Sequence, residues 1–258
     1  VGIVSTTIRV RELDPKTSKL EEKFVFKSDE KKPHAFISLV SDKSTRRRIV
    51  IAEGTTSWRI AQALNEIDYL TGDIKEIPLE GSLAPNSYEF GEKDTRSTIL
   101  KRMSIKQGGI LQKAWQSKLD NLPLMTPEEA LILASIIEKE IGVRDEAPEI
   151  AGVFMNRLSI GMPLQSDPTV IYGMGSKFKG NIRRKDLKKD TIFNTYTRKG
   201  IPPSPIAMVS LDSLEAALNP ATTENFYFVA KGNRRHHFSK TLKEHNRAVY
   251  KYQKKKRK

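Results

Sequence analysis

Two helix signatures in a row, followed by a long stretch of chain breakers, constrain this sequence more than any other feature. Thr126-Pro127-Glu128-Glu129 offers a Thr at an N-cap, Pro at the first helical position and Glu three residues after the cap, the strongest helix start in the chain. The helix it opens is predicted to run to about Ile141 and to stop at Gly142. A second, from about Glu146 to Ile160, carries Ile150, Val153, Phe154, Arg157 and Leu158 and ends at Gly161. From there to Ile206 come Met162-Pro163, Asp167-Pro168, Gly173, Gly175, Gly180, Gly200 and Ile201-Pro202-Pro203, a density of breakers that predicts long ordered loops. Loops held by a rigid scaffold are where function concentrates.

Around this centre the patterning alternates between strand and helix. Residues 3 to 10 and 23 to 27 read as strands joined by an Asp14-Pro15 turn, and charge dominates between Lys27 and Lys32. A third strand covers Arg48 to Ala52. Thr56 or Ser57 then caps a helix with Trp58, Ile60, Ala61 and Leu64 on its apolar side. Pro78 to Pro85 reads as loop, and Ser97 to Gln107 as a helix closed by Gly108-Gly109. A helix over Leu211 to Leu218, a strand over Asn225 to Val229 and a last helix from about Thr241 complete the chain, with no internal repeat. The class is α+β: a small N-terminal module over residues 1–95, then a mixed domain over 96–258 whose cleft lies between the Thr126 helix and the 161–206 loops.

With 258 residues, 38% of them hydrophobic, the chain can bury an ordinary core. Its apolar runs, such as Ile49 to Ala52 and Ile132 to Ala134, fall far short of the roughly 20 residues that cross a bilayer. A first residue of Val1 is compatible with a targeting or anchoring segment having been removed. The absence of Cys rules out disulfides and thiolate metal sites and leaves the redox compartment open. A formal charge of +14 predicts attraction to polyanions: nucleic acid, acidic lipid or an anionic wall polymer. The excess sits in Arg46-Arg47-Arg48, Arg183 to Lys189 and Lys251 to Lys258, where a solvated face or tail is the plain alternative. Nucleic-acid binding calls for aromatics among the cations, and the tail offers only Tyr250 and Tyr252.

On the Thr126 helix, Leu133, Ile136 and Ile137 define the buried side, and Glu140 follows Ile136 by four residues and Ile137 by three. Glu140 therefore points to the core side. Glu138 lies two positions away, about 200° around the helix, and stacks with Ala134 and Ser135 instead. A Glu among Ile side chains is desolvated, which raises its pKa and lets it hold a proton near neutrality, as a general acid must. The plain alternative is a helix-end carboxylate paired to Lys139, Arg144 or Arg157.

Three runs sharpen the choice: Ala134-Ser-Ile-Ile-Glu-Lys-Glu140, Val153-Phe-Met-Asn-Arg-Leu158, and Gly161-Met-Pro-Leu-Gln-Ser-Asp-Pro-Thr-Val-Ile-Tyr-Gly-Met-Gly175. With Phe193-Asn-Thr-Tyr196, Gly200-Ile-Pro-Pro203, Tyr227-Phe-Val-Ala230, His236 and His245-Asn246, they resemble the YceG-like family of endolytic murein transglycosylases from about Arg48 to Val249. The resemblance implies that Glu140 is the catalytic residue, and that a LysM-like module adjoins the Ile49 to Leu64 region. The chain departs from the family pattern in having Ile141 and Ser166 where Thr is frequent, Ser204 where Gly is frequent, and Arg234-Arg235 where the family has a Gly pair.

Hydrolytic glycosidases need two carboxylates, one for the leaving oxygen and one for water or the anomeric carbon. The implied lytic mechanism needs one: Glu140 protonates the oxygen between N-acetylmuramic acid and N-acetylglucosamine, then takes the proton of the muramyl 6-hydroxyl as it closes a 1,6-anhydro ring. Gln165, Asn194 and Tyr196 are candidates for orienting the strand, with Thr169, Ser135 and Glu138 counted beside them. Asp167 is either a second carboxylate or the start of an Asx turn; Tyr172 and Tyr196 either stack on sugars or pack in the core. The four histidines, at 34, 236, 237 and 245, show no metal-ligand spacing, and no cofactor is expected. The resemblance further implies peptidoglycan strands as substrate, peptidoglycan synthases as neighbours, and a catalytic part on the periplasmic side of the bacterial inner membrane, anchored upstream. Three other classes stand against it: a non-catalytic wall-binding scaffold, a pyridoxal-phosphate lyase, for which no Schiff-base lysine context is visible, and a nucleic-acid binder.

Overall fold

The computed structural model describes residues 37–41 and 47–254, and the strands expected at 3–10 and 23–27 lie outside them. The chain divides into two compact units: the described residues through Gly109 with Ala207–Ser210, and Ile110–Ile206 with the chain from Leu211 onward.

In the first unit β1 (Ile37–Ser41), β2 (Arg47–Ile51) and β3 (Asn86–Phe90) form an antiparallel sheet in that order, with Ile49 opposite Tyr88. Strand alternation turns Ile49 and Ile51 inward, onto Ile60 and Leu64 of α1 (Ser57–Asn65). Thr56 caps that helix, its hydroxyl accepting from the Arg59 N–H. Trp58, expected on the apolar side, is 57% exposed, because it precedes Ile60 by two positions and so faces about 200° away. Gly108-Gly109 do not close a helix: α2 (Arg96–Gln116) runs through both. An added Cβ at either glycine would meet nothing within 4 Å, so neither is demanded by packing. Each costs about 1 kcal/mol of helix propensity, which the buried anchors Ile99 and Met103 and an unbroken hydrogen-bond ladder outweigh.

The second unit is built on α3 (Pro127–Glu140). Thr126 accepts from the Glu129 N–H at 3.2 Å, as its sequence predicts, while the Glu129 carboxylate reaches one residue past the cap, to the Met125 N–H at 2.6 Å, in place of the Thr126 N–H of a reciprocal capping box. Every residue from Ala130 to Ile137 is buried, since α4 (Ala147–Ser159) and α7 (Leu211–Leu218) cover α3. A 3₁₀ turn at Arg144–Glu146 leads into α4. Between Gly161 and Ile206 the chain is mostly irregular, yet it includes α5 (Asp167–Met174) and α6 (Arg184–Lys188), two short helices that the count of breakers conceals. Pro168 lies in the first turn of α5, where a proline starts a helix instead of breaking one. A hairpin of β4 (Tyr227–Ala230) and β5 (His236–Ser239) follows, then α8 (Leu242–Val249), capped by Thr241 with Glu244 and continued by a π turn at Tyr250–Lys254. Along α4, Asn156 donates to the carbonyls of Thr223 and Asn225 at 2.8 and 2.9 Å. The Glu149 carboxylate accepts from the same two residues' side chains at 2.7 and 2.8 Å, and together these bonds fix the irregular segment that leads into β4. No helix among the described residues is long and apolar enough to cross a membrane.

Candidate active site

Glu140 is the last residue of α3. The helical face that buries Ile136 and Ile137 completely carries Glu140 to the rim of the core, where it keeps a small opening to solvent. The Ser166 hydroxyl donates to its Oε1 at 2.6 Å. Burial pushes the Glu140 carboxyl up to about 7; the Ser166 bond opposes the rise, the nearby Asp167 charge adds to it, and Arg157 draws it back. A carboxyl near 7 holds its proton and gives it up with similar ease at neutral pH.

Ser166 is delivered to this place by the loop before α5. Gln165 has a φ of 51°, a left-handed conformation that costs a non-glycine residue energy, and its N–H is bound by the Thr195 carbonyl at 3.0 Å. The Ser166 N–H donates to Thr195 Oγ1 at 3.0 Å, and Thr169 Oγ1 donates to the Ser166 carbonyl at 2.7 Å. Thr169 and Thr195 meet at 2.9 Å.

The next residue, Asp167, is exposed, and its Oδ1 accepts from the Tyr196 hydroxyl at 2.6 Å. The bond is long-range, unlike the local Asx turn that was one of the two readings of Asp167. Burial, then the bond to Asp167, holds the Tyr196 phenol far above its ordinary range. Asn194 shapes the loop behind it: Oδ1 accepts from the Tyr196 N–H at 2.8 Å, and Nδ2 donates to the carbonyls of Leu187 and Lys189 at 3.0 and 2.7 Å. Tyr172, on α5, packs edge-on against Phe193 at 4.8 Å between centroids.

The sequence candidates therefore divide. Glu140, Gln165, Asp167, Tyr172 and Tyr196 all retain exposed surface. Ser135, Thr169 and Asn194 are fully buried and spend their side chains holding the scaffold; Ser135 donates to the Ile132 carbonyl at 2.7 Å and accepts the Ile206 N–H at 2.9 Å. They brace the site from behind. Glu138 accepts from Ser213 of α7 at 2.7 Å, so the two carboxylates of α3 serve different neighbours, as their helical faces require.

Arg157 is 6% exposed and donates from Nε to the Phe226 carbonyl at 2.7 Å and from Nη1 to that of Leu164 at 2.6 Å. It thus clasps β4's lead-in and the Gln165 loop together while lending Glu140 a positive charge. Its guanidinium lies 5.4 Å from the Tyr227 ring centre, and Tyr227 stacks on His245 at 5.3 Å. On the hairpin, Glu146 accepts from the His236 N–H and lies 2.9 Å from its Nδ1. Ser166 and Thr195 were not singled out from sequence as site residues, although each stands between two residues that were. Their small hydroxyls carry no charge to draw attention, and neighbours along extended chain point to opposite sides. Among the described residues no group of three or more His, Cys, Asp or Glu is placed to hold a metal ion.

The YceG-like family's sequence profile matches residues 9–251. A Bacillus subtilis (strain 168) protein named endolytic murein transglycosylase is 39% identical over 220 residues, 83% of this chain and 61% of that protein. A Streptococcus pneumoniae (serotype 2, strain D39) protein of the same name is 34% identical over 157 residues, 59% of this chain and 28% of that one. The chain thus spans less than two thirds of the length of these curated relatives. A crystal structure of a YceG-like protein from Listeria monocytogenes superposes with a TM-score of 0.64 at 32% identity, covering 78% of this chain and 75% of that chain.

Proposed function

We propose that this chain, which belongs to the YceG-like family, is the catalytic part of an endolytic murein transglycosylase that cuts peptidoglycan glycan strands without water. The observation that carries the reading is the Glu140 carboxyl, desolvated to a pKa of about 7 yet open on one side. In this reading neutral Glu140 gives its proton to the oxygen linking N-acetylmuramic acid to N-acetylglucosamine as the C1–O bond breaks. The muramyl 6-hydroxyl oxygen then bonds to C1, and its proton returns to Glu140, leaving a 1,6-anhydro end. A group that must serve as acid and then as base works best with a pKa near the working pH. Asp167, close enough to affect Glu140 by its charge, is positioned to favour the positive character that develops at C1.

The proposal extends to the setting. The first unit is read as a LysM-like module; the catalytic part works on the extracytoplasmic side of the cytoplasmic membrane, anchored upstream and beside peptidoglycan synthases whose strands it ends. Digestion of isolated glycan strands in ¹⁸O-water tests the chemistry: a lytic cut leaves the new muramyl ends unlabelled, whereas a hydrolase adds one ¹⁸O to each.

A further inference from the structure

We propose that Ser166 is a positioning residue that selects Oε2 of Glu140 as the oxygen through which the proton leaves and returns. This inference rests on Glu140 being the acid and base of the reaction, and it concerns which face of that carboxyl is presented.

The hydrogen-bond directions around Ser166 are fixed by elimination. Thr169 uses its hydroxyl proton on the Ser166 carbonyl. Thr195 Oγ1 already accepts the Ser166 N–H. The 2.9 Å contact between the two threonine hydroxyls therefore has Thr195 donating to Thr169. Every backbone polar group of Ser166 is thus engaged, and the strained Gln165 just before it removes the remaining freedom of the loop. Ser166 is 1% exposed, and Glu140 Oε1 is the one acceptor its hydroxyl meets among the described residues.

Ionised Glu140 accepts this bond at Oε1 in a short, charge-assisted contact. On taking up a proton, the carboxyl has two choices. A proton on Oε1 would point at the Ser166 oxygen and force the serine hydroxyl to turn its own hydrogen into a buried space with no acceptor. A proton on Oε2 leaves Oε1 as a carbonyl oxygen and keeps the Ser166 bond intact. Oε2 has no hydrogen-bond partner among the described residues and is not sealed from solvent, so it is the oxygen a glycosidic bond can reach. The same arrangement holds in both protonation states, and the carboxyl does not need to rotate between its two roles.

The test compares Ser166→Ala, Ser166→Thr and Ser166→Cys in the full chain. The Glu140 carboxyl is followed by ¹³C-NMR titration, assigned by its loss in Glu140→Gln, and kcat and KM are measured on soluble glycan strands. Ser166→Ala removes a donor to the ionised form, so the carboxyl should titrate about one unit higher. Loss of orientation should lower kcat on the order of 100-fold with KM within about threefold. Ser166→Thr, which keeps the hydroxyl, should titrate as the native chain does and retain most of kcat, with the weaker donor of Ser166→Cys in between. An unshifted carboxyl in Ser166→Ala and Ser166→Cys, or a folded Ser166→Thr as impaired as Ser166→Ala, would overturn the proposal. A native chain that cleaves no strand refutes the transglycosylase reading instead, and the titration then still decides whether Ser166 holds Oε1.

Discussion

The Tyr196 hydroxyl donates to Asp167 Oδ1 at 2.6 Å across 29 residues of chain, tying the first residue of α5 to the loop that Asn194 shapes. Asp167 also stands at the N-terminus of α5, where the first-turn N–H groups favour negative charge. The Asp167 charge in turn raises the pKa of Glu140. The pair thereby sets the acid without being it.

Replacing Asp167 by Asn removes that negative charge, so Glu140 should ionise at lower pH. The sign is definite: the high-pH limb of kcat, which reports loss of the acid's proton, moves toward acid by a fraction of a unit. A pH profile of kcat on glycan strands checks this, and a limb displaced toward alkaline pH would contradict the proposed coupling.

Glu140→Gln should abolish cleavage and stabilise the fold. The native carboxyl has a pKa of about 7 against 4.5 for the model group, so the folded chain binds more protons than the unfolded one between those values. Stability from this group is therefore full below pH 4.5 and is lost as pH rises through about 7. Denaturant unfolding at pH 5 and pH 8 should show the variant gaining on the native chain at the higher pH by up to roughly 3 kcal/mol; an equal difference at both pH values would mean that the carboxyl is not desolvated.

Arg157→Met should cost about 2–5 kcal/mol, because it strands the carbonyls of Phe226 and Leu164 and releases the Gln165 loop. With the cation gone, the Glu140 carboxyl should titrate higher still. A variant as stable as the native chain would show that the two carbonyls find water instead.

Two glycines should respond with opposite sign. A Cβ on Gly142, just past α3, would lie 2.0 Å from the Arg234 carbonyl oxygen, a backbone atom that cannot yield without moving the hairpin loop. Gly142→Ala should be strongly destabilising, whereas Gly108→Ala, with open space around it in mid-helix, should add roughly 0.5–1 kcal/mol. Thermal unfolding of the two variants side by side measures both.

What the sequence makes legible follows from how locally each feature is encoded. The Thr126 cap, the end of α3 and the placing of Glu140 and Glu138 on different helix faces rest on neighbours within one or two helical turns, and all three hold in the structure. The family pattern adds the order of the later motifs. Gly108-Gly109 misled because a helix stop depends on whether flanking turns are anchored, and the anchors Ile99 and Met103 pack on residues as far away as Met208. Trp58 misled because size suggested burial where periodicity denied it. Ser166, Thr195 and the clasp of Arg157 depend on segments brought together from three parts of the chain, a juxtaposition that no local spacing records.

The most direct measurement is mass spectrometry of purified glycan strands after incubation with the native chain and with Glu140→Gln. The account predicts internal cuts ending in 1,6-anhydro-N-acetylmuramic acid from the native chain and none from the variant. Reducing ends from the native chain would contradict it and make Asp167 a hydrolytic partner; intact strands with both proteins would leave a glycan-binding scaffold in its place.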